Sequence, residues 1–204
     1  MTTRRRSSVS SKRSRTSTTS RRSTPTSTSQ SRCFSTPSAG TVLGIDPGTT
    51  GMGYALLAEH TDPPRLLACG LVEVSRELST AARLLAIANA LDALIAEHRP
   101  TALALERLYF NKNVKTAMAV SEARGVALLC GARAGMAISE YTPQEVKQSV
   151  TGSGGSDKKA VQRLLVHILK LDAPITDDNI ADAVAVALTH SQRARFAAAV
   201  AMAK

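Results

Sequence analysis

Tryptophan is absent from the 204 residues, and aromatic side chains make up only 3% of them. Any core must therefore be built from Ala, Val, Leu and Ile, and the 43% hydrophobic content leaves enough of these to build one. Cysteine is scarce too. Cys33, Cys69 and Cys130 lie far apart without Cys-x-x-Cys spacing, which argues against zinc and against a disulfide framework and fits a reducing compartment. No apolar run approaches the ~18 residues that a membrane span needs, so no membrane partner is expected. His60, His98, His167 and His190 share no ligand spacing and read as surface or helix-end residues. No Ser/His/Asp arrangement is legible, which leaves nucleophilic hydrolase chemistry without support.

Acidic residues are missing altogether from residues 1–40, which hold eight Arg and one Lys. Nine of the ten net positive charges thus sit in that segment, and the remaining 164 residues stand at +1. A nucleic-acid face on the folded part would have to come from local clustering, not bulk charge. Residues 1–40 are nearly all Ser, Thr and Arg, too poor in apolar area to offset the entropy of ordering, and are expected to be a disordered basic tail. With no apolar h-region the tail is not a secretory signal. It reads as a solvated arm that meets phosphates without sequence preference, or as an organelle transit segment with a processing site near 32–35.

Order is expected from Thr41, giving a domain over 41–192 and a C-terminal tail over 193–204. Residues 42–46, 52–58 and 66–74 read as three strands joined by short links, an antiparallel meander. Leu84, Leu85, Ile87, Leu91, Leu94 and Ile95 recur at helical spacing within 80–98, and Pro100 follows. A buried strand over 101–105 ends at Glu106, an Ala-rich helix spans 114–134, and another strand spans 136–141. Pro143 opens a short helix running toward Gly152, a flexible glycine loop covers 152–156, and two helices follow at 157–171 and 177–190. This order predicts an α/β fold, one mixed sheet with helices on its faces.

Three acids stand out because each ends or interrupts an apolar element: Asp46, Glu106 and Asp182. A buried carboxylate is costly unless it is paired or bound to a metal. The ends of adjacent strands and one facing helix can bring three such groups to one point, and hard oxygen ligands suit Mg²⁺ or Mn²⁺. Asp178 and Asn179 lie four and three residues before Asp182, on its side of a helix, so either can add an oxygen while Asp177 or Asp178 caps the helix start.

These residues resemble a family. Residues 44–54, Gly-Ile-Asp-Pro-Gly-Thr-Thr-Gly-Met-Gly-Tyr, are similar to the first motif of the RuvC Holliday junction resolvases. Leu105-Glu106-Arg107-Leu108-Tyr109 resembles the second; residues 123–126 and 146–152 resemble two more, and residues 181–190 resemble the closing helix. The resemblance implies an RNase H-like fold and a homodimer that nicks a four-way DNA junction symmetrically, leaving ends a ligase can seal. It also implies two Mg²⁺ ions per site, replaceable by Mn²⁺, and a branch-migration helicase as partner. Asp46, Glu106 and Asp182 match the catalytic acids, with Asp46 bridging the ions. The family's fourth ligand, an Asp or sometimes a His, falls on Asn179, which can lend a carbonyl oxygen but no charge. Asp178 is the substitute.

Lys147 and Lys158 match family positions beside the scissile phosphate, where a lysine steadies phosphate oxygens. Tyr109, Phe110, Asn111, Lys112, Asn113 and Lys115 form an aromatic, amide and lysine loop suited to stacking bases and contacting phosphates, Tyr109 matching the family's stacking position. The helix over 114–134 is the candidate dimer surface. Two other readings remain at this point: a related nuclease acting on structured RNA, and a module that grips junctions without cutting. A bacterial cytoplasm is expected, with an organelle as the alternative if residues 1–40 are a transit segment.

Overall fold

The short links after the first two apolar runs leave the chain no choice but to turn back on itself. In the computed structural model, which describes residues 40–59, 61–107 and 114–203 and leaves out the side chains of 114–116, Thr41–Asp46 (β1), Gly51–Ala58 (β2) and Arg65–Glu73 (β3) form the expected antiparallel meander. The helix Thr80–His98 (α1) starts at Ser79, whose side chain accepts from the Ala82 amide, and stops at Arg99, which takes a left-handed conformation ahead of Pro100. Ala102–Glu106 (β4) then returns parallel to β1, and Ala137–Tyr141 (β5), reached through Val114–Arg133 (α2), lies parallel to β4. The sheet order is β3-β2-β1-β4-β5. Pro143–Thr151 (α3), Lys158–Leu169 (α4) and Asp178–Met202 (α5) complete the chain. This is the mixed sheet flanked by helices of the RNase H-like fold. No described helix is long and apolar enough to cross a membrane.

Strand alternation divides the core in two. Leu43, Ile45, Leu103 and Leu105 pack with α1 and α2 residues such as Ile87, Leu91, Ala123 and Ala127. Val42, Ala102 and Ala104 point the other way, into a cluster with the buried alanines and valines of α5 and with Val161, Leu165 and Leu169 of α4. Continuing that second set by one step of two places Asp46 and Glu106 on the α5 face, at the end of each strand. Residues 183–189 of α5 are buried on every side, the property of a helix that runs through a core and not over a surface.

Three expectations need correction. The last helix does not end at His190 but continues to Met202, and the presumed tail is partly integrated. Gln192 accepts from Ser149 at 2.5 Å, Arg193 meets Glu145 at 3.0 Å and Arg195 meets Asp62 at 3.1 Å. The helix goes on because residues 191–202 hold no Gly or Pro to stop it. His190 is not a surface residue: its Nδ1 lies 2.9 Å from the Tyr141 hydroxyl and its Nε2 3.4 Å from Glu59, with burial pushing its pKa down against the pull of Glu59. The glycine loop is tied down: the Gln148 amide donates to Gly152 O and accepts from Gly154 N, while Thr151 and Ser156 share a hydroxyl bond of 2.7 Å. The tail expected over 1–40 lies, save Gly40, outside the described residues, as do His60, Tyr109, Phe110, Asn111, Lys112 and Asn113; Lys115 belongs to α2, its side chain undescribed.

Candidate active site

Parallel pairing of β1 with β4 runs in register from Val42↔Ala102 to Ile45↔Leu105, so Asp46 and Glu106 are the next residues on two neighbouring strands. Both side chains stand on the face covered by α5. What lets α5 come close enough to join them is the absence of side chains beneath it. A Cβ on Gly53, the residue opposite Asp46 in the antiparallel ladder, would collide with the Asn179 carbonyl, and one on Gly44 would collide with Ala183 and Ala187. The glycines of the first motif therefore do two jobs: they shape the turn after Asp46, and they seat α5.

The start of α5 is set by Asp177, whose carboxylate accepts from the amides of Asn179 and Ile180 at 2.9 and 3.1 Å. Asp177 is thus the cap. Asn179 donates through its side-chain nitrogen to Gly51 O at 3.3 Å, which fixes the amide plane and leaves the carbonyl end as its acceptor. Asp182, one turn further on, lines a cleft of about 250 Å³ together with Glu106, Lys147 and Lys158, over a floor that includes Val146 and Val161. The lysines come from helices with firm starts. Thr142 and Glu145 form a reciprocal capping box on α3, and Asp157 caps α4 by accepting from Ala160 N at 2.6 Å. Lys158 leads the stripe Val161, Leu165, Leu169 by which α4 packs into the core, and its ammonium reaches Asp182 at 2.9 Å and Asp178 at 3.4 Å.

The electrostatics follow from this crowding. Burial first, then the charges of Asp182 and Glu106, push Asp46 up to about 7, against the opposing pull of Lys158. Burial and Asp182 push Glu106 up to about 6, against Lys158 and Lys147. Burial works against the charge on Lys158, but Asp182 and Asp178 outweigh it and raise its pKa. Two acids held against their preferred charge, beside the carboxylate of Asp182, make a place that a hard divalent cation would relieve. Among the described residues no three acidic, histidine or cysteine side chains yet close on one point. The carboxylate oxygens present, with Lys158 and Lys147 beside them, suit a hard divalent cation.

Of the residues picked out from the sequence, Asp46, Glu106, Asp182, Lys147 and Lys158 come together and Asn179 borders them. Asp178 is turned elsewhere, toward Lys158 and toward Gln162, whose Nε2 donates to it at 3.0 Å. Two contributors were not legible in advance. Gly53 acts through close approach, which only α5 itself reveals; Gln162 carries a weak signal, its spacing of four from Lys158 on α4.

The sequence profile described as crossover junction endodeoxyribonuclease RuvC matches residues 42–190. The crossover junction endodeoxyribonuclease RuvC of Roseiflexus sp. (strain RS-1) is 46% identical over 157 residues, covering 77% of this chain and 94% of that one. The protein of the same description from Heliobacterium modesticaldum is 46% identical over 147 residues, covering 72% and 91%. Among solved structures, Thermus thermophilus RuvC in complex with a Holliday junction substrate superposes with a TM-score of 0.73 at 32% identity, over 78% of this chain and 96% of that one. The yeast mitochondrial Holliday junction resolvase, at 11% identity and a TM-score of 0.57 over 75% and 79%, shares the fold.

Proposed function

This chain belongs to the RuvC family of crossover junction endodeoxyribonucleases, and from that premise we propose that it resolves four-way DNA junctions as a Mg²⁺-dependent homodimer, each copy nicking one of two like strands. One observation carries the reading: Asp46 and Glu106, next residues on paired strands, are driven up to about 7 and about 6 beside Asp182. Such a cluster stores unfavourable charge that divalent cations offset.

Asp46, Glu106 and Asp182 would hold the cations, two per site with Mn²⁺ able to replace Mg²⁺, and Asn179 would add a neutral oxygen. When bound, these ions make water a stronger nucleophile and balance charge on the phosphate. The protein's own groups do the rest. Lys147 and Lys158, on the rim of the cleft, hold phosphate oxygens and offset the charge that grows on them. The apolar floor of Val146 and Val161 keeps the site's dielectric low, so each charge counts for more than it would in water. With pKa values pushed up to about 7 and about 6, Asp46 and Glu106 are partly protonated near neutrality, so a cation held there would displace protons.

The homodimer is supported by α2, where Met118, Glu122, Gly125 and Leu129 form an exposed stripe at helical spacing, Met118 61% and Leu129 56% open to solvent. Nothing lies within 4 Å of a Cβ built on Gly125, which leaves room for another helix to approach. A branch-migration helicase as partner and a bacterial cytoplasm as location extend the same reading from the family resemblance, an organelle remaining the alternative. Asn179, neutral where the resembled family carries an Asp or sometimes a His, favours one second reading: a module that grips junctions without cutting them. A synthetic four-way junction and a linear duplex, each incubated with Mg²⁺, Mn²⁺ or EDTA, separate the two. Paired nicks in the junction alone, abolished by EDTA, are expected; tight binding without nicks in either metal would establish the second reading.

A further inference from the structure

Asp178 and Asp182 sit one turn apart on α5, yet they face different neighbours. Asp182 raises the pKa of both Asp46 and Glu106. Asp178 is not among the charges acting on either acid, and its two oxygens are divided between two side chains of α4. Oδ1 accepts from Gln162 Nε2 at 3.0 Å, and Oδ2 lies 3.4 Å from Lys158 Nζ. Lys158 and Gln162 are four apart, so a single carboxylate spans one turn of the neighbouring helix. Its side chain is 60% exposed, so the contact serves no core.

We propose that Asp178 is a positioning residue that acts through Lys158 and not a ligand of the cation. The inference rests on the reading that the acidic cluster takes divalent ions and cuts a phosphodiester. Lys158 has a long, flexible stem, and its closer partner, Asp182 at 2.9 Å, is itself one of the acids a cation would claim. Once Asp182 turns to a cation, Lys158 would lose that partner and gain a repelling charge beside it. Asp178 is the partner that remains. Because Gln162 anchors the carboxylate from the other side, Asp178 keeps the ammonium at the rim of the cleft, where a phosphate oxygen would meet it. The acid that Asn179 lacks is thus not replaced by its neighbour as a ligand; the neighbour serves the lysine.

The test uses the full chain and three variants, Asp178→Asn, Lys158→Met and the pair, with Asp178→Glu as the conservative change. Mn²⁺ binding is titrated calorimetrically without DNA, and single-turnover cleavage is followed at saturating junction. Asp178→Asn is expected to bind Mn²⁺ within about twofold of the unsubstituted chain, to bind the junction unchanged, and to cut roughly tenfold more slowly, as for a misplaced group. Asp178→Glu recovers most of that rate, and in the Lys158→Met background Asp178→Asn costs nothing further. Mn²⁺ affinity reduced tenfold or more by Asp178→Asn would make Asp178 a ligand and overturn the proposal. So would cleavage at the parent rate, or an equal loss with and without Lys158. An unsubstituted chain that takes up no Mn²⁺ or leaves the junction whole would instead overturn the underlying reading, and the proposal with it.

Discussion

The two faces of the sheet are built from the same strands by the same rule, and they end differently. On one face Leu43, Ile45, Leu103 and Leu105 meet α1 and α2, and the apolar alternation runs to the strand ends. On the other, Val42 and Gly44 lead to Asp46, and Ala102 and Ala104 lead to Glu106, beneath a helix whose own apolar stretch is interrupted by Asp182. The first face spends its side chains on volume. The second uses small ones, Gly44, Gly53 and the alanines of α5, so that backbone meets backbone and three acids are drawn to one edge. Close packing and chemistry are one feature on that side, and separable only on the other.

Asp46→Asn should break this comparison most sharply. It keeps the shape and removes a charge, so junction cleavage is expected to fall by roughly a thousandfold or more while a gel-shift assay still shows junction binding. Its counterpart across the sheet, Leu43→Ala, should do the reverse, costing about 2–5 kcal/mol in a denaturation curve with the rate per folded molecule preserved. Next in size is Gly53→Ala. The new methyl must displace α5 at Asn179, so Mn²⁺ affinity and melting temperature are expected to fall together, whereas the same change at Gly125 of α2, where a Cβ meets nothing within the chain, should leave Mn²⁺ affinity alone.

A pH series sharpens the contrast further. The folded-state pKa values of Asp46 and Glu106 are raised, so their contribution to stability is fully present below the unfolded values near 4 and is lost as pH rises through about 6 and about 7. In EDTA the melting temperature should therefore drop between about pH 5 and pH 8 by more in the unsubstituted chain than in Asp46→Asn, with Mn²⁺ closing the gap at the upper end. Equal drops would show that Asp46 titrates normally. The smallest effect is expected on the outer surface: Leu129→Glu, on the exposed stripe of α2, should weaken self-association in sedimentation and leave Mn²⁺ uptake unchanged.

Much of this arrangement was legible in the sequence because it follows short-range rules. Asp46 and Glu106 could be read as the ends of two apolar strands that a facing helix can join, and the helical period placed Asn179 and Asp182 together. What stayed hidden depends on how distant segments meet. No pattern in 177–190 announces that the helix carries on to Met202, since only Ser149, Glu145 and Asp62 show what its last turns rest against. His190 read as a helix end because its partners, Tyr141 and Glu59, are 49 and 131 residues away in the chain. The contacts of Asp178 were hidden too, because helical spacing gives the side of a helix but not the neighbour on that side; α4 supplies Lys158 and Gln162.

Alternate residues of β1 and β4 bring Asp46 and Glu106 to the side of Asp182, where the three would hold a divalent cation. Manganese soaked into crystals of the protein and located by anomalous scattering tests this most directly. Mn²⁺ is expected between Asp46, Glu106 and Asp182, with Lys158 drawn away from Asp182 and still against Asp178. Manganese bound elsewhere, or an acidic cluster that stays bridged by Lys158 at saturating Mn²⁺, would contradict it.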